Sequence, residues 1–450
     1  MIFTTVFALR AIMGLVLYIS SIQADDLQNP KLWLTVAART RLLQVSWSNA
    51  RPNVDDTILI TNQEPGKFEK IKFSGNVNPQ GQLSVLPLND DTSNYWICNG
   101  GSVTIVGMIR PTKTAQWLTT SIPFDFNLSK NISTHTKCYG FWASYLDSAG
   151  NILSTNCIRA FPTWMNDMRS AIGGFRFRDL FIPGTHDSGS YRPGFDPMKN
   201  ETLVTKYALT QDEDIYGQLM HGVRYLDIRV GFYRASNERF WVNHGFTRQR
   251  PLREVLEQIV QFVSETNEIV IVDFQEFPVG FGKALDIHRL LVKFIHTYLG
   301  DVLVSPALTW QSTLRDIWHS RRNVIVSYDN SAVVSEFSDM LFRSVEQRWG
   351  NIQKLKELEK FLRRMSTYDP MRLSSRPVAD MAELTPLPWG IILDRYNGLR
   401  KLADDVNEHI TTLYQNELGE TANIVAVDFI RGTSIVEVAL EWNLKKVVLR

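Results

Sequence analysis

The chain has 450 residues, of which 44% are hydrophobic and 21% are charged, and its formal net charge at pH 7 is +1. This composition is that of a folded globular protein, and the length exceeds that of one average domain. The small net charge excludes a broad electrostatic attraction to nucleic acid or to acidic membranes. We therefore predict no nucleic-acid partner.

The first 24 residues have the pattern of a secretory signal peptide. Arg10 is the only charged residue among them, a short apolar run extends from Ile12 to Ile19, and Ala24 ends the segment. The alternative is a membrane anchor, but the apolar run is well short of the ~20 residues that span a bilayer. The sequence thus predicts a signal peptide at 1–24 and a secreted, extracellular protein.

Two further features agree with secretion. Asn-x-Ser/Thr triplets occur at Asn127, Asn131 and Asn200, as expected of a glycoprotein. The chain also has three cysteines, which are Cys98, Cys138 and Cys157. One disulfide bond can form among them in a secreted protein, with three possible pairings. No cysteine lies near the histidine motifs described below, so none is predicted to be a nucleophile.

Residues 25–160 are predicted to form an all-β domain of the sandwich type. Short segments of alternating polarity, such as Leu32–Val36 and Leu43–Ser48, are separated by turn formers such as Asn89-Asp90-Asp91. This region has no cluster of titratable side chains. We expect it to bind or position a ligand, or to pack on the second domain.

The pattern changes near residue 161, where a second domain, 161–450, begins. Apolar runs of strand length now alternate with amphipathic helical stretches, which predicts a mostly parallel sheet. The predicted strands are Leu180–Pro183, Tyr225–Val230, Phe240–Asn243, Ile269–Phe274, Val324–Tyr328, Gly390–Leu393 and Ile424–Phe429. About seven such units in roughly 290 residues favour a (β/α) TIM-type barrel, regular or distorted.

Polar residues follow these strands at the points where they end. In a barrel of this type the carboxyl ends of the strands form one rim, and the chemistry takes place there. The polar residues at these ends include His186, Asp187, Asp227, Arg229, His244, Asp273, Gln275, Asp329, Asp394, Arg395 and Asp428. Two histidines, several carboxylates and an arginine on one rim suit acid–base chemistry on a phosphate ester.

Three separated motifs resemble the X domain of phosphatidylinositol-specific phospholipase C. They are Ile182-Pro183-Gly184-Thr185-His186-Asp187-Ser188, Val223-Arg224-Tyr225-Leu226-Asp227-Ile228-Arg229 and Asn243-His244-Gly245. They occur in the order found in the family, and they are most similar to the small X-domain-containing proteins and their bacterial relatives. The resemblance covers about 160–450 and does not include the N-terminal β domain.

The resemblance implies that the inositol 2-hydroxyl attacks phosphorus and that a cyclic inositol phosphate forms. His186 then fits the general base and His244 the general acid, because imidazole titrates near neutral pH. Arg229 fits a clamp for the phosphate, because its planar guanidinium can hold two oxygens.

Carboxylates and other polar residues complete the predicted site. Asp187 is expected to orient the acid histidine, Asp227 to position Arg229 or accept a hydrogen bond from inositol, and Asp428 to fix the tautomer of His186. The predicted substrate contacts are Gln275, Asp394 and Tyr396. For the last two an alternative remains open, an ordinary ion pair for the aspartate and packing in the core for the tyrosine.

No metal and no other cofactor is predicted. The calcium-dependent relatives carry metal ligands at positions that here hold Asp187, Asp227, Arg229 and Gln275. An arginine repels a cation, and a glutamine is a weaker ligand than a carboxylate. Bacterial relatives carry a lysine where Gln275 lies, which leaves the substrate contacts of this strand open.

The leading hypothesis is a secreted phosphodiesterase that acts on phosphatidylinositol or glycosylphosphatidylinositol lipids in transient contact with a membrane surface. One alternative is a barrel without turnover that binds lipids or glycans. Another is a glycerophosphodiester phosphodiesterase, which is also a barrel with two histidines but depends on a metal. Arg229 lies where that enzyme needs a carboxylate and argues against it.

Overall fold

The structure is a computed structural model that describes residues 29–53, 55–72, 86–87, 94–99, 103–125, 132–135, 137–367 and 376–450. The predicted signal peptide and the triplets at Asn127 and Asn131 lie outside the described residues, whereas Asn200 is described and exposed. The chain divides into two compact units. Unit 1 comprises the described residues within 1–35, 42–128 and 138–159, and unit 2 those within 36–41, 129–137 and 160–450.

Unit 1 is built from short antiparallel strands. They are β1 (Lys31–Val36), β2 (Leu42–Ser48), β3 (Thr57–Thr61), β4 (Lys67–Lys72), β5 (Leu86–Pro87), β6 (Asn94–Asn99), β7 (Ile105–Ile109), β8 (Gln116–Pro123), β9 (Cys138–Leu146) and β10 (Ile152–Arg159). They form sheets in the orders β1-β2-β8, β10-β9-β3-β7 and β4-β6-β5.

The first two of these sheets pack on each other. A Cβ added at Gly107 of β7 would lie 2.7 Å from the terminal carbon of Ile122 in β8, so the two sheets approach each other closely here. Asn156 of β10 donates a side-chain hydrogen bond of 2.6 Å to the carbonyl of Leu32 in β1. These contacts confirm the prediction of a sandwich-like all-β region.

One disulfide bond joins Cys138 and Cys157, on the neighbouring strands β9 and β10. Of the three pairings that the sequence allows, the structure thus selects this one. Cys98 is the remaining cysteine.

Unit 2 contains a parallel sheet. Its strands are β11 (Ile182–Thr185), β12 (Tyr225–Phe232), β13 (Phe240–His244), β14 (Thr247–Pro251), β15 (Val270–Val279), β16 (Val324–Tyr328), β17 (Phe342–Arg343), β18 (Glu346–Arg348), β19 (Val378–Met381) and β20 (Ile424–Val427). The sheet has the order β17-β16-β15-β12-β11-β20-β19-β18, and β13 and β14 form a hairpin that pairs with β12.

The two edges of this sheet meet, which makes it a barrel. Only Ser344 and Val345 separate β17 from β18 in the chain. β17 pairs in parallel with β16 at one edge, and β18 pairs in parallel with β19 at the other. Because one nearly continuous stretch contacts both edges, the sheet must curl on itself. The prediction of a TIM-type barrel is confirmed in its distorted form.

Helices connect the parallel strands. They are Trp164–Asp167, Arg169–Ile172, Pro197–Asn200, Leu203–Ala208, Ile215–Met220, Leu252–Thr266, Asp286–Leu299, Leu314–His319, Ser331–Glu336, Leu355–Thr367, Pro388–Ile392, Leu399–Leu413 and Ile435–Val448, with a π-helix at Tyr414–Leu418. In Leu252–Thr266 the apolar residues Val255, Ile259 and Val263 are buried, as their helical spacing predicts.

Two strand predictions need correction. The segment Gly390–Leu393 is not a strand, because the helix Pro388–Ile392 begins at a proline and covers it. The strand at this point of the barrel is β19, earlier in the chain. Phe240–Asn243 is a strand, but it belongs to the antiparallel hairpin and not to the barrel itself.

Candidate active site

The interior of the barrel changes from apolar to polar toward the carboxyl ends of the strands. At the amino ends one buried cluster includes Ile182, Tyr225, Ile271, Ile325, Ala379 and Ile424. Residues two positions apart on a strand point to the same side. The polar residues that follow on the same side, toward or just past the strand ends, are His186, Asp227, Arg229, Asp273, Ser327, Glu383 and Asp428. The barrel thus holds a polar site above an apolar floor.

His186 is held by Asp428. Its Nδ1 donates a hydrogen bond of 2.8 Å to Oδ1 of Asp428, and both residues are buried. Gln211 supports the pair, because its Nε2 donates to the carbonyls of His186 and Val427. With Nδ1 engaged, Nε2 is the ring nitrogen that remains for chemistry.

The turn after His186 ties this histidine to β12 and β13. Asp187 has a left-handed backbone with φ of +37°, and its N–H donates a hydrogen bond of 3.0 Å to Oδ2 of Asp227. A Cβ at Gly189 would come within 2.6 Å of Val242 in β13, so the hairpin packs directly on this turn. The tight backbone of this turn and its close packing on the hairpin therefore account for the residues Asp187 and Gly189 that follow His186.

Arg229 lies among carboxylates. Its Nη2 is 3.1 Å from Oδ2 of Asp227, and its Nη1 is 3.6 Å from Oε2 of Glu276. Burial lowers the pKa of Arg229, but the charges of Asp227, Asp187 and Glu276 outweigh this effect and raise it, so the guanidinium stays cationic. Its buried Nε has no hydrogen-bond partner among the described residues, and neither has Oδ1 of Asp227.

His244 reaches the site on the hairpin. Its ring centroid is 6.1 Å from that of His186, with the two ring planes at 87°. Its Nδ1 lies 3.3 Å from the carbonyl oxygen of Ala208. Burial, followed by the positive charges of His186 and Arg229, lowers the pKa of His244 to about 3.

Glu383 is a site residue that sequence reasoning missed. It lies two residues past β19 and is buried, and neither carboxylate oxygen has a hydrogen-bond partner in the described part of the chain. Burial raises its pKa to about 7, although the charge of His186 opposes this. Its signal in the sequence is the short run Val378–Ala382 that precedes it, which is weaker than the apolar run at Gly390–Leu393.

Glu383 also affects the pKa of His186. Burial alone would lower the pKa of His186, but the negative charges of Glu383 and Asp428 raise it to about 9. In the free protein His186 is therefore protonated at neutral pH, whereas His244 is neutral.

Asp187 is in the site but does not make the predicted contact. Its Oδ1 accepts a 2.8 Å hydrogen bond from the hydroxyl of Ser190. None of the hydrogen bonds among the described residues joins it to His244, whose Nδ1 faces Ala208 instead. Burial raises the pKa of Asp187 to about 7 despite the nearby charge of Arg229.

Gln275 is at the site, but its amide group is engaged by the protein. Its Nε2 donates a hydrogen bond of 2.6 Å to Oδ2 of Asp273 and another of 2.9 Å to the carbonyl oxygen of Val345. Asp273 also accepts hydrogen bonds from Tyr225 and Ser327, and burial raises its pKa to about 7. Gln275 therefore holds Asp273 in place, and its N–H groups are not available to a substrate.

Asp394 forms an ion pair, its alternative interpretation, whereas Tyr396 is half-buried and packs against the core without being part of it. Asp394 pairs with Lys206 at 2.7 Å and accepts a hydrogen bond from Tyr207 at 2.9 Å. The ring of Tyr396 packs against Gly390, where a Cβ would clash at 2.2 Å. Both predictions assumed a strand at Gly390–Leu393, and the helix Pro388–Ile392 is found there instead.

In the ranges that the structure describes, no group of three or more His, Cys, Asp or Glu side chains is arranged to hold a metal ion. The carboxylate of Asp227 is already faced by Arg229. Within the same ranges, no helix combines the length and apolar character needed to cross a bilayer.

Residues 195–329 match the family model described as phosphatidylinositol-specific phospholipase C, X domain. PI-PLC X domain-containing protein 1 of Mus musculus is 26% identical over 310 residues, which are 63% of this chain and 86% of that protein. PI-PLC X domain-containing protein 3 of Danio rerio is 25% identical over 306 residues, 63% of this chain and 93% of that protein. The resemblance predicted from the three motifs is confirmed.

Solved structures of phosphatidylinositol-specific phospholipase C also align with this chain. The enzyme from Listeria monocytogenes is 20% identical, with 63% of this chain and 98% of that chain covered and a TM-score of 0.46. An enzyme from Staphylococcus aureus is 14% identical, with 62% and 97% covered and a TM-score of 0.49. The barrel itself is established by the strand pairings described above.

Proposed function

We propose that this chain is a phosphodiesterase that cleaves phosphatidylinositol or glycosylphosphatidylinositol lipids. The observation that carries the proposal is the convergence of His186, His244 and Arg229 on one buried polar site, with the imidazole centroids 6.1 Å apart. The match to the X-domain family supports the same reaction class.

The proposed reaction is an internal attack. Nε2 of His186 takes the proton of the inositol 2-hydroxyl, whose oxygen then forms a bond to phosphorus. The bond between phosphorus and the glycerol oxygen breaks, and His244 gives a proton to that oxygen. The products are a cyclic inositol phosphate and diacylglycerol. Arg229 stabilises the negative charge on the phosphate through its free N–H groups.

Two carboxylates are suited to hold the inositol ring. The oxygens of Glu383 and Oδ1 of Asp227 are buried without hydrogen-bond partners among the described residues. Buried acceptors of this kind cost free energy unless a donor reaches them. Inositol hydroxyls are such donors, so we assign both carboxylates to binding of the inositol ring.

The substrate must also rearrange protons. The free protein has a protonated His186 and a neutral His244, the reverse of what a base and an acid need. A phosphate anion next to His244 and Arg229 raises the pKa of that histidine, because it offsets the positive charges that lower it. Because His186, with a pKa of about 9, holds the proton in preference to Glu383, with a pKa of about 7, the neutral form of His186 that acts as the base is a minor species that the reaction must draw on.

The protonation states of His186 and His244 in the free protein also favour a second candidate, a lipid- or glycan-binding module without turnover. If the protons do not rearrange, the site binds a phosphate but does not cleave it. The test is to incubate the purified chain with vesicles containing phosphatidylinositol and, separately, with a glycosylphosphatidylinositol-anchored protein. Release of cyclic inositol phosphate supports the enzyme. Saturable binding without any product supports the module.

The mouth of the barrel is suited to a membrane surface. Apolar side chains are exposed around it on segments that follow the strand ends, including Trp389 at 76% and Phe246 at 86% exposure. The others are Leu203, Val204, Trp349, Leu387, Ile392 and Leu393. Exposed apolar patches of this kind mark protein or membrane contacts. We assign this one, the apolar rim, to the bilayer that contains the substrate.

Hydrogen bonds connect the segments of the apolar rim. The indole N–H of Trp349 donates a hydrogen bond of 2.9 Å to the hydroxyl of Thr385, which lies just before the helix Pro388–Ile392. Lys206 forms a salt bridge of 2.7 Å with Asp394 and so connects the helix Leu203–Ala208 to the same region. The apolar side chains are therefore presented on neighbouring segments rather than scattered.

Removing two side chains of the rim should weaken membrane binding. We expect the double variant Trp389→Ala, Ile392→Ala to bind neutral vesicles roughly tenfold more weakly or worse, because each side chain buries apolar area in the bilayer. Vesicle sedimentation measures this. Leu290→Ala, which removes an exposed leucine from an outer helix, is the matched control. Equal binding of both variants would show that the rim does not enter the bilayer.

Glu383 should control the titration of His186. In Glu383→Gln the negative charge is lost, so the pKa of His186 should fall below the value of about 9 expected for the parent protein. NMR titration of the imidazole protons measures this shift. Glu420→Gln removes an exposed carboxylate and should change nothing. An unchanged His186 titration in Glu383→Gln would contradict the placement of this carboxylate.

We also propose that the protein is secreted. The signal-like segment at 1–24 and the three glycosylation triplets motivate this. The disulfide bond between Cys138 and Cys157 supports it, since such bonds persist in oxidising compartments.

A further inference from the structure

A cleft of ≈ 650 Å³ opens beside the hairpin, at the carboxyl end of β12. It is lined by Phe232, Tyr233, Arg234, Ala235, Ser236 and Arg248. Phe232 is the last residue of β12 and lies three residues beyond Arg229, which is about 10 Å along a strand. The cleft therefore lies beyond the catalytic arginine, at the same end of the barrel.

Two exposed arginines dominate this cleft. The guanidinium carbon of Arg248 lies 4.4 Å from the ring centroid of Trp241 and 5.2 Å from that of Tyr233. Stacking of this kind orients the guanidinium plane and leaves its N–H edges free for hydrogen bonds. Arg234 is also exposed.

These arginines lack acidic partners. The nearby Arg250 and Arg253 pair with Glu254, Glu238 and Glu257, whereas neither Arg234 nor Arg248 forms an ion pair within the described residues. The carboxylate of Glu238 is thus already neutralised by a different arginine. The positive charge of the cleft remains available to a ligand.

The remaining polar groups of the cleft are hydroxyls. The hydroxyl oxygen of Tyr233 accepts a 2.8 Å hydrogen bond from Nδ2 of Asn243, so its own proton is free to be donated. Ser236 offers a second hydroxyl, and no carboxylate lines the cleft. Two guanidinium groups and two hydroxyls match a ligand with several anionic oxygens, and a phosphate group is such a ligand.

The cleft is separate from the proposed phosphate position at Arg229. Arg248 pairs with Asn243 across the hairpin, while His244 pairs with Thr247. Neighbouring residues of a strand point to opposite sides, so the cleft and the imidazole lie on opposite sides of the hairpin. A ligand in the cleft is therefore a second molecule, not the phosphate under attack.

We propose that this cleft binds the phosphate of an anionic phospholipid headgroup, a second lipid beside the substrate. The inference rests on the proposed function in one respect, the approach of the barrel mouth to a membrane. The open cleft lies at the same end of the barrel as the apolar rim, so a bilayer that covers the rim presents its headgroups there. The cleft then anchors the protein on acidic bilayers and does not take part in bond cleavage.

Vesicle binding tests this proposal with the full chain. The double variant Arg234→Ala, Arg248→Ala should bind vesicles of phosphatidylcholine and phosphatidylglycerol roughly 20- to 30-fold more weakly than the parent. Binding to pure phosphatidylcholine vesicles should not change. The control is Arg364→Ala, which removes an exposed arginine that stacks on Phe361 far along the chain. Equal losses for the control, or on both vesicle types, overturn the proposal.

A lysine variant separates a built site from general surface charge. Arg234→Lys, Arg248→Lys keeps the charge but loses the planar forks, so it should bind the acidic vesicles several-fold more weakly than the parent. If it binds as tightly as the parent, the cleft is not a specific site. Thermal unfolding at the parental temperature in all variants shows that the fold is intact.

Inorganic phosphate distinguishes a lipid from a soluble ligand. At millimolar concentration it should displace little of the parent protein from acidic vesicles. If it displaces the parent completely while leaving residual binding of the double alanine variant unaffected, the cleft is a site for soluble phosphate and the lipid assignment is wrong. These vesicles contain no inositol lipid, so the outcome is independent of whether the chain has phosphodiesterase activity.

Discussion

Replacing His186 with alanine should lower kcat for release of cyclic inositol phosphate by ~10²–10⁴-fold, the usual contribution of a positioned general base. The imidazole is held at Nδ1 by Asp428, which leaves Nε2 to accept the proton of the 2-hydroxyl. Among the described residues, His244 is the other imidazole at this site, and it is required at the leaving group. The measurement is single-turnover release of the cyclic product from phosphatidylinositol.

The control for this variant is a histidine outside the site. His296→Ala removes an exposed imidazole from the helix Asp286–Leu299 and should keep full activity. A loss confined to His186→Ala assigns the base. Undiminished turnover in His186→Ala would show that another group accepts the proton. If the parent has no turnover and His186→Ala binds lipid equally well, the binding module is the better description.

Arg229→Lys should lower kcat by ~10²–10³-fold, because a lysine keeps the charge but cannot direct several N–H groups at the developing oxyanion. Lysine is the informative substitution here. Alanine would leave the buried carboxylates of Asp227 and Asp187 without their cation, and such a loss destabilises the fold by about 3–5 kcal/mol. Product release and thermal unfolding, measured together, separate a catalytic defect from a folding defect.

The same arginine predicts how the parent protein responds to metal removal. If the guanidinium supplies the positive charge at the phosphate, a chelator such as EDTA should leave turnover unchanged, and added calcium should not raise it. Arg364→Lys, at an exposed stacked arginine, should behave like the parent in both assays. Activity abolished by the chelator would instead favour the metal-dependent glycerophosphodiester phosphodiesterase.

Much of the candidate site could be placed from the sequence because its signals are local. Asp227 and Arg229 lie two apart on one strand, and this spacing alone places them on the same side. His186 ends a short apolar run, and the Pro-Gly and Ser-Gly pairs around it indicate tight backbone geometry. The alternation of apolar runs and helical stretches similarly indicated parallel strands whose ends share one rim.

Glu383 could not be found in this way. Its strand, β19, has only four residues and contains Asp380, which hydrogen bonds with Tyr414 in the interior. A more apolar run at Gly390–Leu393 gave the stronger strand signal, yet Ile392 and Leu393 are exposed. Apolar residues at a ligand-facing surface and in a core have the same composition, so a local pattern does not separate them.

The amino-acid sequence was sufficient for the fold class, and it placed His186, His244, Arg229, Asp227 and Asp428 at one end of the barrel, where the structure also has them. Only the tertiary structure decided which cysteines pair, that Gln275 is bound to Asp273, and which protonation states the histidines take. The reason is physical: a pKa depends on burial and on charges within a few ångströms, and Glu383, whose charge raises the pKa of His186, lies past a different strand far along the chain. Contacts of that separation arise from the folded barrel and leave no local pattern in the sequence.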